Sequence, residues 1–303
     1  MKIECPHCKV VNEIDDELLG RTIACGHCDQ VTIVPIVPVA PGVVIGKFAV
    51  RKKLRDSSFG ARYLVEHLKH RQQLVLIILP DNISSTPGFV KEFGQTAELV
   101  HNLEHANVVR SAKLGHDGDI YYLPTEFVGG ANLHTYLKEV GRLELTAAVN
   151  LCKSVATALD FVWTQINKVH GNVKPINVLV DKDGNAKLAS TALSIYVREH
   201  GQGGIIGTPY YVSPEQLLNQ PLDLRSDIYS LGATFYHVLA GRPPFEGRDP
   251  ERIAHARLTS DAAPVTQFAP EVTPKMASVV ERMMTRSLGD RYQDYESLLA
   301  DLG

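Results

Sequence analysis

The sequence predicts an α+β protein in two lobes, strand-rich in front and helix-rich behind, preceded by a small metal-held module. Three observations carry this. Four of the five cysteines fall within the first 28 residues, as two pairs. From residue 43 to 128 the apolar residues come mostly in strand-length runs, whereas from 129 onward they recur at helical intervals. Between these regions, PIVPVAPG at 35–42 carries prolines that fix φ and remove backbone donors, so it reads as an extended linker. The expected organisation is therefore a cysteine module over 1–34, a Pro-rich linker over 35–42 and a large domain over 43–303, with lobes at 43–128 and 129–303.

Gly46 to Leu54 and Ala61 to Glu66 have strand character and flank a polar turn, Arg55 to Gly60. Leu74 to Leu79 (LVLIIL) is an apolar run of strand length stopped by Pro80. Phe89 to Leu103 reads as a helix, with Phe89, Phe93, Ala97, Val100 and Leu103 on one stripe. Val108 to Leu114 and Ile120 to Val128 are β-prone and divided by an HDGD turn. Leu145 to Ile166 repeats apolar residues at 145, 149, 152, 155, 159, 162 and 166, a core-facing stripe in which Cys152 is a small buried residue. Val178 to Val180 and Ala186 to Leu188 suit a hairpin around Asp183-Gly184. Further helices are expected near 223–240, 250–258, 275–285 and 294–302.

A composition of 44% hydrophobic and 21% charged residues is that of an ordinary globular protein. The net charge of −3 argues against an electrostatic nucleic-acid or membrane binder. No uninterrupted apolar run approaches the roughly 18 residues that cross a bilayer. MKIECPHC lacks the apolar segment of a secretory signal, and the expected location is the cytoplasm, where thiols stay reduced.

Cys5-Pro6-His7-Cys8 and Cys25-Gly26-His27-Cys28 form two C-x2-C knuckles. Paired thiolates at this spacing chelate one tetrahedral zinc, and four of them close the site against catalysis. A segment of 34 residues buries too little apolar surface to fold unaided, so structural zinc would supply much of its folding energy. His7 and His27 read as exposed knuckle residues. Three basic residues (Lys2, Lys9, Arg21) against six acidic ones (Glu4, Glu13, Asp15, Asp16, Glu17, Asp29) disfavour a nucleic-acid role for this ribbon.

The large domain carries more specific stretches, in order: HGNVKPINVLV at 170–180, GTPYYVSPEQ at 207–216, SDIYSLGATFYHVLAGRPPF at 226–245 and DRYQDYESLLADL at 290–302. Over 43–303 the chain resembles a bacterial-type serine/threonine protein kinase domain. The resemblance implies a bilobal protein-kinase-like fold, with a β-rich N-lobe and an α-helical C-lobe. It also implies that Asp227 ties down the catalytic-loop backbone, that Glu215 and Arg291 pair, and that His170 joins the hydrophobic column between lobes.

The same resemblance marks what has been replaced. Arg55, Ser57, Gly60 and Arg62 stand at the Gly-rich loop pattern, where only Gly60 keeps its residue type; Arg62 replaces the valine that roofs adenine. Val75 and Ile77 stand at the strand-3 alanine and lysine, so the phosphate grip is lost. Thr96 stands at the helix-C glutamate, with Glu98 two residues away and expected to face elsewhere. Asn172 stands at the catalytic aspartate, and an amide is no proton acceptor. Ser190 stands at the magnesium-binding aspartate, where Mg²⁺ prefers anionic oxygen. His170, Lys174 and Asn177 remain as remnants. The expectation is a pseudokinase and no enzyme: a protein-interaction or regulatory scaffold with protein partners, not binding ATP or magnesium. Two alternatives stand beside it. One is a weak or atypical ATP-dependent serine/threonine kinase, or other transferase, using the degenerate cleft. The other is a nucleic-acid-linked factor acting through the ribbon.

Overall fold

The computed structural model describes residues 2–303 except 5–7, 9, 14–21, 29–30, 34–38, 40, 58–59, 81–83, 87, 201–208 and 248. It divides into two compact units, 1–101 with 110–127 and 102–109 with 128–303.

Near the start lie two separate antiparallel hairpins, β1 (Lys2–Glu4) with β2 (Val11–Glu13) and β3 (Thr22–Ala24) with β4 (Val31–Ile33). The rest of the first unit is built on a six-stranded sheet ordered β5-β6-β7-β8-β10-β9, antiparallel throughout. Its strands are β5 (Val44–Ile45), β6 (Phe48–Arg55), β7 (Ala61–His67), β8 (Gln73–Ile78), β9 (Gly115–Asp117) and β10 (Ile120–Glu126). Side chains alternate across a pleat, and one face gathers Ile45, Phe48, Val50, Tyr63, Val65, Leu76 and Tyr122 into a buried cluster. Each such side chain stabilises the fold by about 1.5–3 kcal/mol. Helix α1 (Phe89–His101) buries Phe89, Phe93, Thr96, Ala97 and Val100 at helical spacing, with the Phe89 and Phe93 rings stacked at 5.3 Å.

The expected strand over 108–114 is absent, and its hydrogen bonds explain why. Val108 and Val109 bond along Leu188, whereas Ser111 bridges Thr125 and the Ala112 amide donates to Pro124 O at 2.8 Å. The run serves two different partners for a residue or two each, so no continuous ladder forms. The strand that does form, β9, takes in His116 and Asp117, and the HDGD turn tightens to Gly118-Asp119.

The second unit contains α2 (Leu133–Val140), α3 (Leu145–Ile166), α4 (Thr191–His200), α5 (Pro214–Leu217), α6 (Leu224–Ala240), α7 (Pro250–Thr259), α8 (Pro274–Met283) and α9 (Tyr295–Leu302). A three-stranded sheet, β11 (Gly130–Asn132), β12 (Val178–Asp181) and β13 (Ala186–Leu188), accompanies them. Helix α3 runs over the residues its stripe predicts and stops at Asn167, which takes a left-handed φ of 51°. It packs on α6, β13 and α9. By length and composition α3 would pass for a membrane span, although no uninterrupted apolar run does. It buries Ala148, Leu151, Cys152, Val155, Ala156, Ala158, Leu159 and Val162, as a core helix should. Helix α6 is buried nearly all round, from Ser226 to Leu239, and is the hub of the unit.

Candidate functional site

In the first unit the site residues lie on the sheet face opposite the Tyr63–Leu76 cluster. Arg62 pairs with Ile77, Leu64 with Val75, and Leu123 and Thr125 complete the row on β10. Residues directly opposite across an antiparallel pair share a face, so Arg62, Val75 and Ile77 come together. Ile77 and Arg62 are both buried. The turn after β6 is sealed upon itself: the Ser57 amide donates to Gly60 O at 3.1 Å, and the Gly60 amide donates to Ser57 O at 3.0 Å. The Ser57 hydroxyl donates to Gly60 O at 2.8 Å and accepts from Arg62 Nη1 at 3.0 Å. These amides therefore serve the turn instead of facing a phosphate. Gly60 is required here, since φ is +119° and a Cβ would stand 1.9 Å from Ile78 O. Burial, and after it the charge of Arg55, pulls Arg62 down to about 9. On α1, Thr96 is buried and donates to Glu92 O at 3.1 Å, while exposed Glu98 pairs with Lys113 at 2.6 Å.

In the second unit a buried aspartate sets the loop after α3. Asp227, from the first turn of α6, accepts the His170 amide at 2.7 Å and the Gly171 amide at 2.8 Å. Burial pushes its carboxyl up to about 7, against the pull of those two amides. His170 is fully buried, its Nε2 is 3.1 Å from Ala189 O, and burial lowers its pKa to about 4. Three neutral polar side chains gather beyond this anchor. Asn177 Nδ2 donates to Asn172 O at 2.9 Å, Ser190 Oγ donates to Asn177 Oδ1 at 3.4 Å, and Asn172 Nδ2 reaches Ser194 Oγ at 3.5 Å. Ser190 holds a left-handed φ of 70°, uncommon for a residue with a Cβ. No carboxylate belongs to this trio.

Glu215 and Arg291 form a bidentate buried ion pair, with contacts of 2.7 and 2.9 Å. Burial alone would raise the Glu215 carboxyl, but the Arg291 guanidinium outweighs it and holds it low. Arg291 also donates to Thr285, Arg225 and Arg286 carbonyls and lies over the Tyr229 ring at 4.8 Å.

Sequence reasoning missed helix α4. Its β-branched Thr191, Ile195 and Val197 are weak helix formers, yet Thr191 through Tyr196 are buried and the packing decides. Ser194 on this helix holds Asn172, Lys168 pairs with Glu199 at 2.6 Å, and the Arg198 stem crowds Gly171. Gln216, which donates to Gly171 O at 2.8 Å, was missed too. The same unit contains a cavity of about 590 Å³ lined by His134, Lys174, Pro175, Ile176, Tyr210, Tyr211, His237, Pro243, Glu246 and Gly247. Tyr211 Oη lies 2.7 Å from His237 Nδ1, and burial lowers that histidine to about 4.

Near the N-terminus, the Cys8, Cys25 and Cys28 sulfurs lie within 4.8 Å of one another, with Cys8 and Cys25 at 3.7 Å. Three thiols on two turns at this separation fit a metal ion. Cys5 and His7 lie outside the described residues, and His27 is exposed.

An antiparallel sheet accompanied by helix α1, and a helical unit whose loop hangs from a buried aspartate, define the protein-kinase architecture. The chain belongs to the protein kinase domain family, whose profile matches residues 48–300. Serine/threonine-protein kinase PrkC of Bacillus subtilis is 28% identical over 263 residues, 86% of this chain and 40% of the relative. PknB of Mycolicibacterium smegmatis is 28% identical over 249 residues, 79% of this chain and 40% of the relative. This chain thus spans about 40% of the length of these curated relatives. The PknI kinase domain of Mycobacterium tuberculosis superposes with a TM-score of 0.68 at 21% identity, over 87% of this chain and 98% of that one. These matches correct the expectation of a non-enzyme drawn from Ile77, Asn172 and Ser190. The relatives are named as serine/threonine-protein kinases, so the family points to an enzyme.

Proposed function

We propose that this chain is an atypical serine/threonine protein kinase, slow in phosphoryl transfer from Mg·ATP, in which protein recognition carries much of the role. The observation that carries this reading is the Asp227 anchor. It fixes His170 and Gly171 so that Asn172, Lys174 and Asn177 follow in a set loop. Phosphoryl transfer runs through a loose transition state in which the protein mainly positions and neutralises charge. Asn172 can still orient a hydroxyl through its amide oxygen, and Asn177 and Ser190 offer oxygen atoms to a metal. Each lost electrostatic contribution costs about 10²–10³-fold, so turnover is expected at least about 10⁴-fold below the usual 1–100 s⁻¹.

The cavity beside Lys174, with Tyr210, Tyr211 and Glu246, supports a protein segment as substrate or regulatory partner: its wall mixes aromatic faces with one carboxylate. At the ribbon, the reading is one structural zinc held by Cys8, Cys25 and Cys28, with Cys5 as fourth ligand.

The test is a melt with millimolar Mg·ATP and a radiolabelled γ-phosphate assay on the full chain. Micromolar affinity stabilises by about 4 kcal/mol at a thousandfold excess. Restoring carboxylates, as Asn172→Asp with Ser190→Asp, is expected to raise transfer. No thermal shift together with no transfer in either protein would sink the enzymatic reading.

A further inference from the structure

We propose that Arg62, flanked by Arg55, binds the phosphates of a nucleoside triphosphate in this chain, in place of the lysine whose position Ile77 fills. The proposal rests on the nucleotide-using function proposed above and names the residue that grips the ligand.

The argument begins with strand register. Arg62 on β7 lies directly opposite Ile77 on β8, and Arg55 on β6 lies directly opposite Arg62. Arg62 and Ile77 therefore project from the same face of the sheet, and Arg55 meets Arg62 across a register shift in β6. A cation missing from one strand is present on the next, at the cross-strand position, on a side chain long enough to reach over isoleucine. Arg62 is 8% exposed, and its Nη1 is steadied by the Ser57 hydroxyl at 3.0 Å. A steadied, partly desolvated guanidinium loses little freedom on binding and presents a planar fork that suits phosphate oxygens.

Two further features agree. In the turn between β6 and β7 the Ser57 and Gly60 amides bond within the turn, so the Arg62 side chain would stand in for the contact that a Gly-rich loop makes with such amides. Asp56, the carboxylate of that turn, pairs with Lys53 at 2.9 Å. Burial first, and after it the charge of Arg55 opposite, lowers the proton affinity of Arg62. An anionic ligand matches that charge.

The experiment titrates the full chain by calorimetry with Mg·ATP, adenosine and inorganic tripolyphosphate. Wild type is expected to bind Mg·ATP and tripolyphosphate competitively. Arg62→Val is expected to weaken both about ten- to a hundredfold, the worth of a charge-assisted contact, while adenosine, under the restored valine, binds no more weakly than to wild type. Arg62→Lys should retain most of the affinity, which separates loss of charge from loss of folding. Arg62→Val combined with Ile77→Lys should recover it, and Arg51→Ala, an exposed arginine paired with Glu66 at 3.1 Å, should leave it unchanged. Equal Mg·ATP binding by wild type and a folded Arg62→Val overturns this proposal and leaves the nucleotide-using function standing. Tripolyphosphate binding that depends on Arg62 without any Mg·ATP binding supports the cation and overturns the nucleotide. Binding of neither overturns both.

Discussion

Asp227 and His170 illustrate how one buried pair of titratable groups sets pH behaviour. Held neutral, His170 contributes stability that is complete above its ordinary pKa of 6.5 and is lost as pH falls toward about 4. Asp227 works with the opposite sign. Its folded-state pKa of about 7 lies above the ordinary 3.8, so its contribution is present at acid pH and lost as pH rises through 7. Over the shared window the two offset. Asp227→Asn cannot titrate, and the variant's urea midpoint should fall more steeply than wild type's between pH 6.5 and 4. The variant should also be less stable at neutral pH by roughly 1–3 kcal/mol, because an amide cannot accept both backbone donors. Arg291→Met strands Glu215 as an uncompensated buried charge, and urea unfolding should show a loss of about 3–5 kcal/mol. The positions of Asp227, Glu215 and Arg291 were legible because each sits inside a spaced motif. Ser194, Arg198 and Gln216 were not, since their contacts with the 170–172 loop depend on packing that no local spacing encodes.

At the scale of elements, periodicity did well where one face of an element meets one core. Helix α3 and the β12–β13 hairpin occupy the ranges their patterns indicate within a residue, because a continuous stripe and an Asp-Gly turn leave little choice. It failed over 108–114, where hydrogen bonds are divided between two partners, and at α4, where burial overrides weak propensity. The β6–β7 turn was legible as polar, but its inward bonding was not. Gly60→Ala there meets both a positive φ and the Ile78 carbonyl. Backbone strain alone costs about 1–3 kcal/mol, so the variant should lose at least that in thermal unfolding, and Mg·ATP binding should weaken with it. A Gly94→Ala control, on α1 with open space at its Cβ, should be neutral or slightly stabilising.

For the whole molecule, the class of fold was plain in the order of motifs, while the enzymatic question was not, because function belongs to an assembled site. The ribbon and the large domain should also part company under chelation. Metal analysis is expected to give about one zinc per chain, lost in Cys25→Ser. The main unfolding transition should persist in that variant, since its core residues lie elsewhere. The Glu215–Arg291 pair has a further consequence in time. Its members are 76 residues apart in the chain, and at about 5–20 residues per second of synthesis the glutamate exists for roughly 4–15 s before its arginine. Throughout that interval burying the carboxylate would cost the penalty of an unpaired charge, so the second unit is expected to close only after Arg291 has emerged. Limited proteolysis of chains stalled before and after residue 291 should show protection of this unit only in the longer one.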